Sequence, residues 1–247
     1  MRRLMVNADD LGVFHSSLDA TVELFAAGTV SSASAIVPAP WFPAVAAWQA
    51  EHPDSDIGLH LTLTSEWESY RWRPTTAAPS LADAHGHFHR RRDDVLAADP
   101  PLDAIQQELR NQIAIARAAG MRPSHLDSHM FVLRHARYVG LFRRVAAEAG
   151  IPALVARADV NGNDWPFPLF DSIHSLTLGD HARRADVVMA YVESLPDGLH
   201  ALLIHPAMDT PELRAAAPDW RCRVADYEVF RDPALRARIA GAGVEIG

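Results

Sequence analysis

The chain has 247 residues, 49% of them hydrophobic, so it can build a substantial core and does not read as a disordered segment. Its formal net charge of -8 excludes a general nucleic-acid or anionic-membrane binder, because both need a basic face. A lone cysteine, Cys222, excludes an internal disulfide, and no run of about 18 uncharged apolar residues spells a membrane span. No apolar region or small-residue cleavage site follows Met1-Arg2-Arg3-Leu4, so no signal peptide is expected, and the expected compartment is the cytoplasm.

The first element is an apolar run, Leu4-Met5-Val6, that passes into Asn7-Ala8-Asp9-Asp10-Leu11-Gly12. This predicts a buried strand whose C-terminal end enters a cleft. Residues 16–27 carry Leu18, Val22, Leu24 and Phe25 at helical spacing, and Gly28 ends them. Residues 29–37 read as a second strand, stopped by Pro38 and Pro40. A helix over 42–51 and a third strand over 56–63, passing through His60, come next.

Residues 64–101 show no period. They hold Trp67, Tyr70, Trp72 and the run His85-Gly86-His87-Phe88-His89, and read as a functional loop or lid. The strongest helix is 102–119, with Ile105, Leu109, Ile113 and Ala116 on one face. Beyond it the pattern predicts a strand over 123–128, a helix over 138–149, a short strand over 153–156 leading to Arg157, and a loop over 161–168. Strand 173–178, helix 182–195 and the buried strand 199–205 follow, the last ending at His205-Pro206. A helix over 226–240, interrupted at Pro233, and a short strand over 244–246 complete the chain.

Strands alternating with helices imply parallel strands joined by crossovers. Roughly seven such units, with no linker to split them, predict one domain over 1–247, an irregular or incomplete (β/α) barrel of TIM-barrel-like type. No Gly-x-Gly-x-x-Gly or P-loop pattern favours a nucleotide-binding open sheet.

Polar residues recur at the strand ends. The first strand ends in Asp9 and Asp10, the third carries His60, the 123–128 strand runs into His129, and the 199–205 strand ends at His205. In a (β/α) barrel these ends share one rim, where active sites are built. Asp10, His60 and His129 would supply a carboxylate and two imidazoles to a catalytic divalent ion, zinc or magnesium, with room left for water or substrate. Asp9 then suits a general base, and His205 a general acid from another strand. In His125-Leu126-Asp127-Ser128-His129 an extended chain points His125, Asp127 and His129 the same way, and Asp127 can brace a histidine. Plainer readings stand beside these. Adjacent acids cap helices. A single His60 is ordinarily a satisfied interior side chain, and His85, His87 and His89 beside Arg90, Arg91 and Arg92 read as a solvated loop more than as a second metal site. Trp41, Trp67, Trp72 and Trp165 can stack on sugar rings, but packing is the default for aromatics.

Together, Asn7-Ala8-Asp9-Asp10-Leu11-Gly12, Gly58-Leu59-His60-Leu61, Ser124-His125-Leu126-Asp127-Ser128-His129 and His205-Pro206 resemble the motifs of the YdjC-like carbohydrate deacetylases, relatives of the polysaccharide deacetylases. The first and third motifs are the specific ones, and the resemblance covers nearly the whole chain. It implies a barrel of the polysaccharide-deacetylase type, one divalent metal on Asp10, His60 and His129, and Asp9 as the base. It further implies removal of an N-acetyl group from an amino sugar or short acetylated oligosaccharide. His205 is the expected acid, with His15 and His174 as alternates, and Arg157 is expected to hold a sugar hydroxyl or Asp9. The sequence departs from the family where Leu11 replaces a frequent phenylalanine, where Met130 and Phe131 replace further histidines, and where Ala207 replaces a glycine. No nucleic-acid or membrane partner is expected, and a homodimer is left open. Two other classes compete. One is a metal-dependent phosphoesterase or sugar isomerase, to be separated by which product is released. The other is a non-catalytic carbohydrate binder, which would bind without turnover.

Overall fold

A computed structural model of the chain describes residues 1–160, 165–177, 179 and 181–247. Its strands are β1 (Arg2–Leu11), β2 (Ser32–Ala35), β3 (Ile57–Leu61), β4 (Leu126–Ser128), β5 (Ser172–Ser175), β6 (Gly198–Ile204) and β7 (Val244–Ile246). Its α-helices are α1 (His15–Ala27), α2 (Phe42–Glu51), α3 (Arg92–Ala98), α4 (Leu102–Ala118), α5 (Val139–Ala149), α6 (Arg184–Ser194), α7 (Pro211–Ala216), α8 (Trp220–Phe230) and α9 (Pro233–Gly241).

Among the described residues all pairings between these strands are parallel, in the order β4-β3-β2-β1-β6-β5, with β7 beside the first residues of β1. The expected strand over 153–156 exists only as single bridges, Leu126 with Ala153 and Ala156 with Phe170. These bridges join the β4 edge to the start of β5, so the sheet curls into an irregular, incompletely laddered (β/α) barrel, as expected.

Alternation along the strands divides the interior. On β1, Leu4, Val6 and Ala8 face outward into the core beneath the helices, whereas Met5 faces the lumen with Phe170, Ala201 and Leu203. The same inner face continues through Asn7 to Asp9. The lumen is therefore apolar toward the strand starts and polar toward the strand ends, which is the gradient a rim site requires.

The predicted helices form with small shifts, and two short ones, α3 and α7, were not expected. The expected helix over 226–240 begins earlier and divides. Pro233 restarts it as α9, with the Asp232 side chain accepting from Ala234 N at 2.9 Å. The aperiodic 64–101 stretch is ordered by buried Glu108 of α4. Its carboxylate accepts from the Thr75 N–H and hydroxyl at 3.0 and 2.7 Å, and from those of Thr76 at 2.9 and 2.6 Å. In the expected loop 161–168, residues 161–164 lie outside the described residues, as does Leu178 of the expected strand 173–178. Among the described residues, no helix is long and apolar enough to cross a membrane.

Candidate active site

Consecutive residues in a strand face opposite ways, so Asp9 and Asp10 cannot both enter the lumen from a regular β1. The structure resolves this with a bulge. Between Ala8 and Leu11, β1 advances three residues while β2 advances two, from Ala33 to Ala35. Asp10 takes the left-handed region, with φ 61, a conformation that short polar side chains tolerate best. Both carboxylates thereby reach one buried cluster.

His60 enters it from the inner face of β3, with Nε2 3.5 Å from Asp10 Oδ1 and 3.7 Å from Asp9 Oδ2. Its other nitrogen, Nδ1, lies 2.7 Å from Asp127 Oδ1. The register of β3 and β4 sets His60 beside Asp127, so Asp127 braces the histidine of the neighbouring strand and not one of its own segment. The Ser34 hydroxyl donates to Asp127 Oδ2 at 2.9 Å, and Asn7 Nδ2 donates to Asp9 Oδ1 at 2.6 Å.

His129 follows β4 directly, with Nδ1 3.1 Å from Asp10 Oδ1 and Nε2 3.0 Å from Glu66 Oε2. The chain then turns through Met130 and Phe131, both left-handed at φ 50 and 56. For non-glycine residues that conformation costs on the order of 1–2 kcal/mol each, and strain of this kind gathers at functional sites.

Helix α8 closes the cluster from the C-terminal side. Arg223 Nη1 lies 2.9 Å from Asp10 Oδ2, its Nε donates to Asp219 Oδ2 at 2.8 Å, and its guanidinium lies over Trp67 at 5.1 Å. One turn on, Asp226 accepts the His205 backbone N–H at 2.9 Å and pairs with buried Arg184 at 2.9 Å. A single helix face thus holds the ends of both β1 and β6.

These surroundings divide the titratable groups. Burial raises the Asp9 carboxyl to about 7, with Asp127 and Asp10 adding to the rise and His60 opposing it. Burial would also raise Asp10, but His129 and Arg223 outweigh it and hold this carboxyl well below its ordinary range. Burial opposes charge on His129, yet Glu66 and Asp10 together push it up to about 10. His205 is pushed down to about 4, first by burial, with Arg223 and His60 acting the same way and Asp10 against.

The donor set suits a divalent cation. Ligand atoms of Asp10, His60 and His129 lie within 4.8 Å of one another. Among the described residues Asp10 Oδ1 is buried with no hydrogen-bond partner, although both imidazoles face it. The second nitrogen of each ring is already engaged, by Asp127 and by Glu66, which is how metal-binding histidines are oriented.

Of the expected residues, Asp9, Asp10, His60, His129 and Asp127 meet in this cluster, and His205 stands at the adjoining end of β6. His125 does not join it. Its ring packs against Gly58, nearer the strand starts, with Nδ1 3.4 Å from Asp56. Arg157 does not join it either, being exposed and 3.4 Å from Asp171. His15 pairs with Asp19 on α1, and His174 stacks on Tyr191. Among the described residues, His85, His87 and His89 enter no group of three close enough to share an ion; the Asp83 side chain accepts the backbone N–H groups of His85 and His87 in a tight turn. The sequence reading missed Arg223 and Glu66. Both belong to segments whose sequence pattern carries no sign of a strand-end partner.

The sequence model of the YdjC-like protein family matches residues 3–241. A carbohydrate deacetylase of Thermus thermophilus is 30% identical over 252 residues, covering 97% of this chain and 90% of its own. A chitooligosaccharide deacetylase of Serratia marcescens is 28% identical, covering 99% of this chain and 96% of its own. The crystal structure of an Enterococcus faecalis protein ascribed to cellobiose-phosphate cleavage superposes with a TM-score of 0.84 at 21% identity, covering 100% of this chain and 97% of that one, a likeness that bears on the fold alone. With the family match running from β1 to α9, this chain belongs to the YdjC-like protein family.

Proposed function

We propose that the chain is a metal-dependent deacetylase that removes an N-acetyl group from an amino sugar or short acetylated oligosaccharide and releases acetate. The observation that carries this reading is the convergence of Asp10 Oδ1, His60 Nε2 and His129 Nδ1 with the Asp9 carboxylate beside them. Two imidazoles and one carboxylate suit zinc better than magnesium, which prefers oxygen donors throughout. The names of the relatives support the substrate class. Arg223, which a phosphoesterase would want free to clamp phosphate, is engaged by Asp10 and Asp219.

Asp10, His60 and His129 would hold a divalent cation, which would supply Lewis acidity toward a water and the acetamide carbonyl. The chain's own groups manage the protons. Asp9 accepts the proton of the attacking water, and a carboxyl brought to about 7 can release it again near neutrality. Ala8 and Ile204 are paired, so Asp9 and His205 occupy neighbouring strand ends. His205 is neutral at rest and relays to the departing nitrogen the proton that Asp9 took. The C–N bond breaks, the amino sugar leaves with that proton, and acetate remains. Asn7 and Asp127 hold Asp9 and His60 in place meanwhile. The lone cysteine, buried in α8, supports a cytoplasmic setting, and the one sheet that joins all seven strands supports a single domain.

The test is acetate release from a panel of N-acetylated amino sugars and short oligomers, with metal-stripped and metal-restored protein. Release that depends on restored zinc is the expected result. Release from none of the panel, or equal release without metal, sinks the proposal.

A further inference from the structure

The large apolar side chains exposed among the described residues are Met1, Trp41, Leu102 and Met130. Met1 is the chain start and Leu102 opens α4. The other two follow the C-terminal ends of strands, on the side of the sheet that carries the cluster. Trp41 ends the β2–α2 loop and Met130 follows His129.

Trp41 is held firmly. Its backbone N–H donates to Gly12 O at 2.8 Å, two residues beyond Asp10. Gly12 itself adopts φ +88, and a Cβ there would stand 3.2 Å from the Phe42 backbone, so the start of α2 is pressed directly on the loop after the carboxylates. The indole N–H donates to Glu212 Oε1 at 3.0 Å, and the Tyr70 hydroxyl shares that oxygen at 3.2 Å. One carboxylate therefore ties together the β2–α2 loop, the stretch after β3 and the segment after β6. Despite these anchors, 36% of Trp41 stays open to solvent.

The His15 ring meets the indole in a T-shaped contact with ring centroids 4.9 Å apart, and the part of the indole left open to solvent, its polar edge satisfied by Glu212, offers an apolar π-face. A pyranose ring is the matching ligand, since its C–H bonds make an apolar face while its hydroxyls point outward. We propose that Trp41 is the stacking platform for a second sugar ring, next to the ring whose acetamide lies at the Asp10–His60–His129 cluster. Trp41 thereby sets a preference for oligomers over monosaccharides. This rests on the deacetylase reading.

The test compares wild type, Trp41→Ala and Trp41→Phe on N-acetylglucosamine and on its β-1,4-linked trimer. For Trp41→Ala the trimer-to-monosaccharide ratio of kcat/KM is expected to fall about tenfold, through KM on the trimer, the size of one aromatic contact. Trp41→Phe loses the bond to Glu212 but keeps a π-face, and is expected to recover most of that ratio. An unchanged ratio in Trp41→Ala, or a Trp41→Phe as poor as alanine, overturns the proposal and makes Trp41 a strut for Glu212. If wild type turns over neither sugar, the deacetylase reading fails separately. The platform is then decided by tryptophan fluorescence: a trimer-induced change in wild type that is lost in Trp41→Ala upholds it, and no change in wild type overturns it.

Discussion

Arg223 Nη1 sits 2.9 Å from Asp10 Oδ2, while His60 and His129 both face Asp10 Oδ1. One carboxylate is thus divided between a permanent cation of the protein and a pair of imidazoles. Replacing Arg223 by methionine leaves buried Asp10 and half-buried Asp219 without that counter-charge. The expected cost is about 3–5 kcal/mol, the range for breaking a buried pair from one side. Denaturant unfolding of metal-free protein measures it, and Arg223→Lys should recover part of the loss. A midpoint equal to wild type would show that the pair does not bear on the fold.

Asp127 acts on the ion through His60. Its carboxylate, 2.7 Å from Nδ1, keeps the proton on that nitrogen and leaves Nε2 for the metal. Asp127→Asn should therefore weaken zinc binding by about 10–100-fold while leaving the fold intact. Competition with a chelating dye reads the affinity and circular dichroism reads the fold. Unaltered affinity would remove Asp127 from the site.

Asp9→Asn should retain metal and lose about 10²–10⁴-fold in kcat, the usual weight of a positioned acid–base group. The pH dependence follows with its sign. Asp9 accepts a proton only when ionised, and its carboxyl is raised to about 7, so kcat/KM should fall as pH drops through a limb at or below that value. A cation alongside can only move the limb lower. The same shift predicts a stability effect. A carboxyl raised from 3.8 to about 7 on folding opposes folding increasingly between those values, and fully above them. Metal-free Asp9→Asn should therefore melt higher than wild type at pH 8. A lower melting temperature there would contradict the burial cost assigned to Asp9.

Protons and metal compete for the cluster. His129 is pushed up to about 10, so near neutral pH it carries a proton that an incoming ion must displace. Zinc binding at pH 7 should release protons, and affinity should rise with pH up to about 10. Calorimetry in buffers of different ionisation enthalpy counts the protons released. His129→Ala and Asp10→Asn should lose zinc and acetate release together, and proton-neutral binding would place the ion elsewhere.

The barrel rim was legible because parallel strands bring their C-terminal ends together, so Asp9, Asp10, His60 and His129 could be gathered from strand positions alone. What supports them was not legible. Arg223 lies on a helix whose own pattern explains it as a partner of Asp219, and Glu66 lies in an aperiodic stretch. Both reach the site through tertiary packing, which leaves no periodicity in the sequence. Arg157 follows a strand-like run as expected, yet its guanidinium finds Asp171 first. The 153–156 strand reads as a full element, but it pairs by single bridges on each side and never builds a ladder. The short helices α3 and α7 span 7 and 6 residues, too few for a helical period to declare itself.

The bulge in β1 also determines what the sheet can detect. Before it, Met5, Asn7 and Asp9 face in; after it the parity is reversed, Asp10 facing in and Leu11 out. Leu11 nevertheless pairs with Ala35, so every neighbour of β1 is satisfied with one residue of the strand left over. A deletion of Asp9 or Asp10 would restore an unbroken ladder with no apolar contact misplaced. The apolar packing of the sheet alone would not preserve the doublet, and a chain that lost one carboxylate this way would keep its ladder while leaving either Arg223 and His129 or the proton-accepting position without its carboxylate.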